Sequence, residues 1–146
     1  MNVVAVTDAR GAVVDEALLA AAEPVHRQLR PHLPADYRGR MQAVFSSGAE
    51  MAVAVDAGRV VGVAVYRVVD KTHCGREFYC DDLVTDEPAR SKGAGRAMLA
   101  YMERVARSRG CDVLALDSGT QRQQAHKFYF REGLVASAFH FTKKLT

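Results

Sequence analysis

The chain has few cysteines and no long apolar run. Cys74, Cys80 and Cys111 are an odd number without a Cys-x-x-Cys spacing, so neither a disulfide framework nor a structural metal site is expected. The five histidines show no metal-ligand spacing either. No apolar stretch approaches the length that crosses a bilayer. Residues 1–10 hold no basic segment followed by an apolar one, so the expected location is cytoplasmic, with no membrane partner.

An excess of one charge sign is also missing. The net charge is only +3, and the arginines are spread along the chain, so nucleic acid is not expected as a partner. The phosphate-binding pattern Gly-x-x-x-x-Gly-Lys-Ser/Thr is absent, as is a Gly-x-Gly-x-x-Gly that opens a βαβ unit. With 146 residues, 49% of them apolar, and no repeat or linker, the sequence predicts one globular domain over residues 1–146.

The apolar spacing predicts a mixed α/β fold. The predicted strands cover residues 2–7, 51–55, 60–69, 77–85, 112–117 and 135–142. The predicted helices cover 15 or 16 to 29, 37–45, 93–109 and 123–132, and a long loop is expected over 70–75. The helix over 93–109 joins two strands that the sequence predicts to be parallel.

A turn rich in glycine and basic residues follows the strand over 77–85. Asp82 to Leu99 reads Asp-Leu-Val-Thr-Asp-Glu-Pro-Ala-Arg-Ser-Lys-Gly-Ala-Gly-Arg-Ala-Met-Leu, and helical periodicity follows at once. Free amides at a helix start carry partial positive charge, and glycines let an anion approach the main chain. Arg90, Lys92 and Arg96 add formal charge. The segment therefore predicts a site for a pyrophosphate-bearing ligand, a glycine turn for close packing being the structural alternative.

The stretch Arg90-Ser-Lys-Gly93-Ala94-Gly95 resembles the Gln/Arg-x-x-Gly-x-Gly/Ala signature of the GNAT superfamily of acyl-CoA-dependent N-acetyltransferases. A second match, Arg59 to Ala64, lies in a β-branched run and opens no helix. Ala125-His-Lys-Phe-Tyr-Phe-Arg-Glu-Gly-Leu134 resembles the downstream pattern of the same family. The resemblance covers about the C-terminal half of the chain, and the N-terminal half matches the family in element order only.

The resemblance implies a single-domain fold with a mixed central sheet, helices on both faces, and a parallel strand pair, 77–85 and 112–117, that splays apart. It implies acetyl-CoA as co-substrate, bound by the glycine turn and by main-chain groups at the strand end. The implied cofactor-binding residues are Leu83, Val84, Thr85, Arg90, Ser91, Lys92, Gly93, Ala94, Gly95 and Arg96.

Two side chains are candidates for proton transfer. The Phe-Tyr pair of the family implies that Tyr129 protonates the departing coenzyme thiolate, a role that suits the acidity of a phenol, although packing in the core is the alternative. Asp82 is the favoured base for the amine. Asp81 and Asp82 should point to opposite sides of their strand, so that at most one faces the acceptor cleft. Glu77 would share the side of Asp81, and solvated strand-end acids are common.

Relatives often carry Asn where this chain has Arg122, so a cofactor contact from that site cannot be carried over. Arg122 or Lys127 can instead meet a phosphate or face solvent. Cys80 has no evident histidine partner and is interpreted as a buried apolar residue.

These features predict direct acetyl transfer to a primary amine in a ternary complex, without a covalent enzyme intermediate and without a metal. A non-catalytic acyl-CoA-binding or sensing domain is the alternative. The acceptor is a small-molecule or peptide amine that the sequence does not specify, and a homodimer is possible.

Overall fold

Five strands pair into one mixed sheet in the computed structural model, which describes residues 1–146. The strands are β1 (Asn2–Ala5), β2 (Glu50–Asp56), β3 (Arg59–Lys71), β4 (Gly75–Thr85) and β5 (Val113–Leu116). The helices are α1 (Glu16–Leu29), α2 (Tyr37–Ser46), α3 (Ala94–Ser108) and α4 (Gln123–Arg131). The sheet order is β1-β2-β3-β4-β5, antiparallel except for the parallel pair β4 and β5. The predicted α/β class is confirmed.

The chain divides into two units, Met1–Leu116 and Asp117–Thr146. The first unit holds the whole sheet and the helices α1, α2 and α3. The second unit holds α4 and the residues that follow it. No helix in either unit combines the length and the apolar character that crossing a membrane requires.

Helices cover both faces of the sheet, as the sequence resemblance implied. Side chains alternate along a strand, and Val63 and Val65 of β3 belong to the buried apolar cluster that includes residues of α1 and α2. Gly62 faces the other way, where a Cβ atom would lie 2.5 Å from the methyl carbon of Met98 in α3. Burial of a side chain such as Met98 contributes about 2 kcal/mol to stability.

Short polar side chains set the starts of the first two helices. The Asp15 carboxylate accepts a hydrogen bond from the Leu18 amide at 2.9 Å, and Asp36 accepts one from the Gly39 amide at 2.9 Å. Each bond satisfies an amide that has no acceptor within the helix. The predicted starts of both helices are therefore confirmed.

Two sequence predictions about the sheet are wrong. The expected loop over 70–75 is reduced to a turn over 72–74, because the pairing of β3 with β4 continues to Lys71 opposite Gly75. The expected final strand over 135–142 does not form, and residues 134–146 have no regular secondary structure. Strand character needs a paired neighbour as well as an alternating pattern, and no strand of the sheet pairs with this segment.

Candidate active site

The parallel strands β4 and β5 pair over only part of the length of β4. β5 pairs with Glu77 to Cys80, whereas β4 continues to Thr85 and stays paired with β3 on its other side. Main-chain groups of Asp81 to Thr85 that point away from β3 therefore have no strand partner. Three of the predicted cofactor-binding residues, Leu83, Val84 and Thr85, lie in this stretch.

The turn after β4 is held in place from α1. The Asp86 amide donates to the Val61 carbonyl at 2.9 Å, and the largely buried Asp86 carboxylate accepts from the Gln28 side-chain amide at 2.7 Å. The Gln28 oxygen in turn accepts from the Glu87 amide at 3.0 Å. Gln28 therefore fixes the direction in which the chain leaves β4, a role that no sequence pattern indicated.

The segment between this turn and α3 exposes main-chain donors. Ser91 has a φ of +64° and Gly93 a φ of +92°, and the start of α3 has no side-chain cap. A Cβ atom on Gly93 would meet nothing within 4 Å, so the left-handed conformation, not crowding, favours glycine there. The amides of Ala94 and Gly95 precede the first helical bond, from Ala97 to Gly93. Such a helix start is a general site for anions.

The side chains around this helix start are basic. Arg90, Lys92 and Arg96 are all exposed, and neither Arg90 nor Lys92 forms an ion pair within the chain. The predicted residues Arg90 to Arg96 therefore lie together around one positively polarised helix start. Their binding of a cofactor stays a prediction.

A cavity of about 340 Å³ lies where α1 and α2 cover β3 and β4. Its polar wall carries three arginines, two aspartates, a histidine and a tyrosine, and its apolar wall carries aliphatic side chains from α2, β3 and the loop after α1. The lining residues are His26, Arg30, Leu33, Arg40, Met41, Val44, Val65, Arg67, Tyr79, Asp81 and Asp82.

Asp82 is the carboxylate of this cavity that two different side chains hold. Its Oδ2 accepts from Nε2 of His26 at 2.7 Å, and its Oδ1 accepts from Nε of Arg30 at 2.7 Å. Burial alone would raise the pKa of Asp82, but the hydrogen bonds from His26 and Arg30 outweigh it and place the pKa below its ordinary value. The favoured base is therefore ionised at neutral pH.

A buried chain of hydrogen bonds continues behind Asp82. Nδ1 of His26 lies 2.8 Å from the hydroxyl oxygen of Tyr37, and both residues are almost fully buried. Burial raises the pKa of the Tyr37 phenol, so this hydroxyl keeps its proton and shares a hydrogen bond with Nδ1 of His26. The other ring nitrogen, Nε2, donates to the ionised Asp82 carboxylate. The network fixes the orientation of the carboxylate.

The prediction that Asp81 and Asp82 face opposite sides is wrong. β4 has a bulge here, because Val65 pairs with Asp82 while Tyr66 pairs with Cys80, which leaves Asp81 as the extra residue. A bulge interrupts the alternation of side chains, and both carboxylates line the cavity. Asp81 binds Arg67, whose Nε lies 3.0 Å from Oδ1.

Glu77, the other alternative base, is not part of the cavity. Its Oε1 lies 2.7 Å from the Lys71 ammonium. His73, Cys74 and Glu77 have ligand atoms within 4.8 Å of one another, a grouping that their sequence spacing did not indicate. The Lys71 charge opposes cation binding at this carboxylate, and the absence of a metal stays a prediction.

Cys80 is buried, as the sequence interpretation expected. Burial raises the pKa of its thiol, and the thiol lies 3.2 Å from the Asp82 carbonyl oxygen. A thiol in this state is a poor nucleophile. The arrangement agrees with transfer that forms no covalent enzyme intermediate.

Tyr129 lies on α4 in the second unit and is half-buried. Its ring centroid is 5.6 Å from that of Phe128, and its carbonyl accepts from the Leu134 amide at 2.9 Å. Arg122 precedes α4 without a side-chain cap bond, and Lys127 is exposed on the helix. The proposed acid role of Tyr129 stays a prediction.

Sequence reasoning missed His26 and Tyr37 as site residues. His26 follows Leu19 and Ala22 at helical spacing in the buried stripe of α1. That spacing was the available signal, because a histidine in an apolar stripe needs a buried partner. The partner, Asp82, is 56 residues away in sequence.

The lowered pKa of Asp82 leads to a testable pH dependence of stability. At pH values above the ordinary pKa of 3.8, the carboxylate is ionised in both the folded and the unfolded chain. Its bonds to His26 and Arg30 then contribute fully to the stability of the fold. As the pH falls below 3.8, the unfolded chain binds the proton first, and the contribution is lost as the pH passes through the folded pKa. Urea denaturation measures the free energy of unfolding of wild type and of Asp82→Asn at pH 7 and at pH 3. The amount by which the wild-type value exceeds that of Asp82→Asn should be smaller at pH 3. An equal difference at both pH values would contradict the assignment.

Three comparisons with known proteins agree on the kind of protein that this chain resembles. Residues 16–133 match the Acetyltransferase (GNAT) family. An uncharacterised N-acetyltransferase of Bacillus subtilis is 34% identical over 129 residues, covering 85% of this chain and 89% of that protein. An aminoalkylphosphonate N-acetyltransferase of Salmonella typhimurium is 34% identical over 94 residues, covering 64% of this chain and 61% of that protein.

Solved structures show the same fold. An aminoglycoside N-acetyltransferase in complex with CoA superimposes with a TM-score of 0.78 at 16% identity, covering 91% of this chain and 92% of that one. A second structure of that kind of enzyme, in complex with the bisubstrate analogue CoA-S-monomethyl-acetylneamine, gives a TM-score of 0.81 at 15% identity and covers 99% of this chain and 98% of that one. At these identities the likeness concerns the fold alone.

Proposed function

Because this chain belongs to the acetyltransferase (GNAT) family, we propose that residues 1–146 act as one N-acetyltransferase domain that moves the acetyl group of acetyl-CoA to a primary amine. The observation that carries the proposal is the uncapped start of α3, with Ser91 and Gly93 in the left-handed region and basic side chains around it. Main-chain donors of this kind suit the diphosphate of acetyl-CoA. Leu83, Val84 and Thr85 offer main-chain groups to the pantetheine arm.

The proposed chemistry is direct transfer. The substrate ammonium first gives a proton to water beside Asp82, and the neutral amine nitrogen then attacks the thioester carbonyl, so that a C–N bond forms and the C–S bond breaks. Asp82, ionised and facing the cavity, accepts a hydrogen bond from the amine as positive charge develops on its nitrogen, and the released proton passes to water. His26 and Tyr37 hold the carboxylate in one orientation.

Tyr129 completes the proton balance by giving its hydroxyl proton to the departing thiolate and regaining one from solvent. This role rests on the Phe128-Tyr129 motif. Replacing Tyr129 with phenylalanine should lower turnover about tenfold, because the thiolate must then take its proton from water. CoA affinity, measured by calorimetry, should fall much less than turnover.

Phe130→Leu is the matched control for this test, since Phe130 lies on the same helix and its side chain is exposed. Turnover of Phe130→Leu should stay near that of wild type. If Tyr129→Phe turns over at the wild-type rate, Tyr129 has no part in the mechanism.

A non-catalytic acyl-CoA-binding domain is the second candidate. The observation in its favour is the ion pair of Asp82 with Arg30, since a carboxylate of lowered pKa is a weak base. The two candidates differ in one measurable product, the free thiol of CoA. A binding domain takes up acetyl-CoA and releases no thiol when amines are added.

The experiment that tests the proposal combines binding and turnover. Thermal shifts with CoA, ATP and NAD should show stabilisation by CoA, by about 2.7 kcal/mol at 100 times the dissociation constant. Thiol release from acetyl-CoA is then followed over a panel of amines. Stabilisation without thiol release from any amine would select the binding candidate, and no stabilisation by CoA would reject both.

The acceptor class that the relatives support is a small-molecule amine. One relative is named for aminoalkylphosphonates and one structural neighbour for aminoglycosides. A peptide amine, predicted from sequence as the other option, belongs in the same panel. The predicted homodimer, the cytoplasmic location, and the absence of nucleic-acid and membrane partners stay predictions.

A further inference from the structure

The charges of the cavity do not cancel. Arg67 binds Asp81 and Arg30 binds Asp82, so each carboxylate has its own guanidinium partner. The cavity has a third arginine, Arg40 of α2. The three guanidinium groups exceed the two carboxylates by one positive charge.

Arg40 is the side chain that carries this excess. It forms no ion pair and no side-chain hydrogen bond, although its backbone amide is bound in the first turn of α2. Its neighbour Arg38, two residues earlier on the same helix, is paired with Glu16 and lies outside the cavity. Arg40 is therefore the one arginine of the cavity whose guanidinium donors are all available.

An excess positive charge is unfavourable for a simple amine, because the amine arrives as an ammonium ion. The same charge favours an amine that carries an acidic group of its own. A guanidinium presents a planar fork of donors that matches a carboxylate or a phosphonate with two parallel bonds. At about 340 Å³, the cavity is in the range of sites for small molecules.

We infer that the acceptor is a small amine bearing a carboxylate or phosphonate, and that Arg40 is the specificity-determining residue that binds this acidic group. The inference rests on the proposed function, since it names the substrate class of that same site. The ammonium end lies on the side of Asp81 and Asp82, and the acidic end meets the guanidinium that has no other partner. The excess charge is thereby neutralised on binding.

Matched acceptors test this inference. 2-Aminoethylphosphonate and β-alanine carry an acidic group on an aminoethyl unit, and ethylamine has the same unit without the acid. With wild type, kcat/KM should be at least about 20-fold higher for the acid-bearing amines, as charge-assisted hydrogen bonds allow. Neamine, a polycation, should be a poor acceptor. Equal kcat/KM for ethylamine, or a preference for neamine, would overturn the inference while leaving the N-acetyltransferase function standing.

Variants of Arg40 locate the effect. Arg40→Gln should raise KM for 2-aminoethylphosphonate by about 20-fold with little change in kcat, and Arg40→Lys should recover part of the loss, since it keeps the charge without the fork. Arg38→Gln removes the same charge from the same helix outside the cavity and should leave KM unchanged. An unchanged KM in Arg40→Gln, or an equal rise in Arg38→Gln, would overturn the role of Arg40.

A direct binding measurement separates this inference from the proposed function. Calorimetric titration of 2-aminoethylphosphonate into the protein saturated with CoA should show binding by wild type and about 20-fold weaker binding by Arg40→Gln. If wild type binds 2-aminoethylphosphonate and Arg40→Gln does not, the inference is supported even when no amine is acetylated. The absence of acetylation would reject only the proposed enzyme activity. Thiol release with ethylamine but no binding of either acidic amine rejects only the inference.

Discussion

Asp82→Asn is expected to lower kcat for acetyl transfer by about 100-fold while acetyl-CoA binding changes little. The asparagine oxygen still accepts from Nε2 of His26, so the buried chain to Tyr37 persists. The negative charge that stabilises the amine during attack is lost, and so is the ion pair with Arg30. Single-turnover thiol release, measured beside calorimetric CoA binding, separates this chemical loss from a loss of structure.

Asp81→Asn is the matched control, because it removes the same charge from the adjacent position of the same cavity. It removes the ion-pair partner of Arg67, and it should lower turnover far less than Asp82→Asn does. Equal losses in both variants would mean that the total charge of the cavity matters rather than the placed carboxylate. Near-normal turnover in Asp82→Asn would remove Asp82 from the mechanism.

Arg109→Ala is expected to lower the free energy of unfolding by about 3 kcal/mol, which corresponds to a fall in Tm of roughly 10 °C. Arg109 ends α3 and donates two hydrogen bonds to Glu50 of β2, one of them from Nη2 to Oε1 at 2.7 Å. The Glu50 side chain is only 5% exposed. Removing Arg109 therefore leaves a buried carboxylate without a partner, which urea denaturation at pH 7 measures.

Two further variants give this expectation its controls. Arg107→Ala removes an exposed charge from the last turn of the same helix and should cost less than about 0.5 kcal/mol. Arg109→Lys keeps the charge but loses the paired geometry, so its cost should be intermediate. If Arg109→Ala lowers the free energy of unfolding no more than Arg107→Ala does, water reaches Glu50 in the folded protein.

The part of the candidate site that sequence could predict is contiguous in the chain. Thr85 to Arg96 contains the glycines, the basic residues and the helix start in one short segment, so that local rules of backbone conformation suffice to identify it. The acceptor cavity is different. Its carboxylate Asp82 meets His26 across 56 residues and Arg30 across 52, and no local rule relates positions so far apart.

Asp81 shows how one irregularity changes a prediction. Alternation along β4 predicted that only one of the two aspartates could face the cleft, and the bulge at Asp81 brings both to it. A bulge depends on how two strands match in register. Most residues of β3 are separated in sequence by 10 or more positions from the β4 residues with which they pair. The pattern within β4 alone contains no sign of it.

The segment over 135–142 shows the opposite error. Its apolar residues alternate as they would in a strand, yet Val135, Phe139 and Phe141 are each more than three-quarters exposed. A strand exists only where another strand supplies hydrogen bonds, whereas a helix such as α3 supplies its own. For this reason the four helices were predicted more reliably than the last strand.

The amino-acid sequence by itself determined the α/β class, the four helices and the glycine-rich helix start, because each depends on residues that are neighbours in the chain. Only the tertiary structure decided which charges meet. It joined His26, Arg30 and Asp82 into one network, left Arg40 without a partner, and so decided the charge of the acceptor cavity. The physical reason is that electrostatic pairing depends on distance in space, which packing of α1 and α2 against the sheet sets.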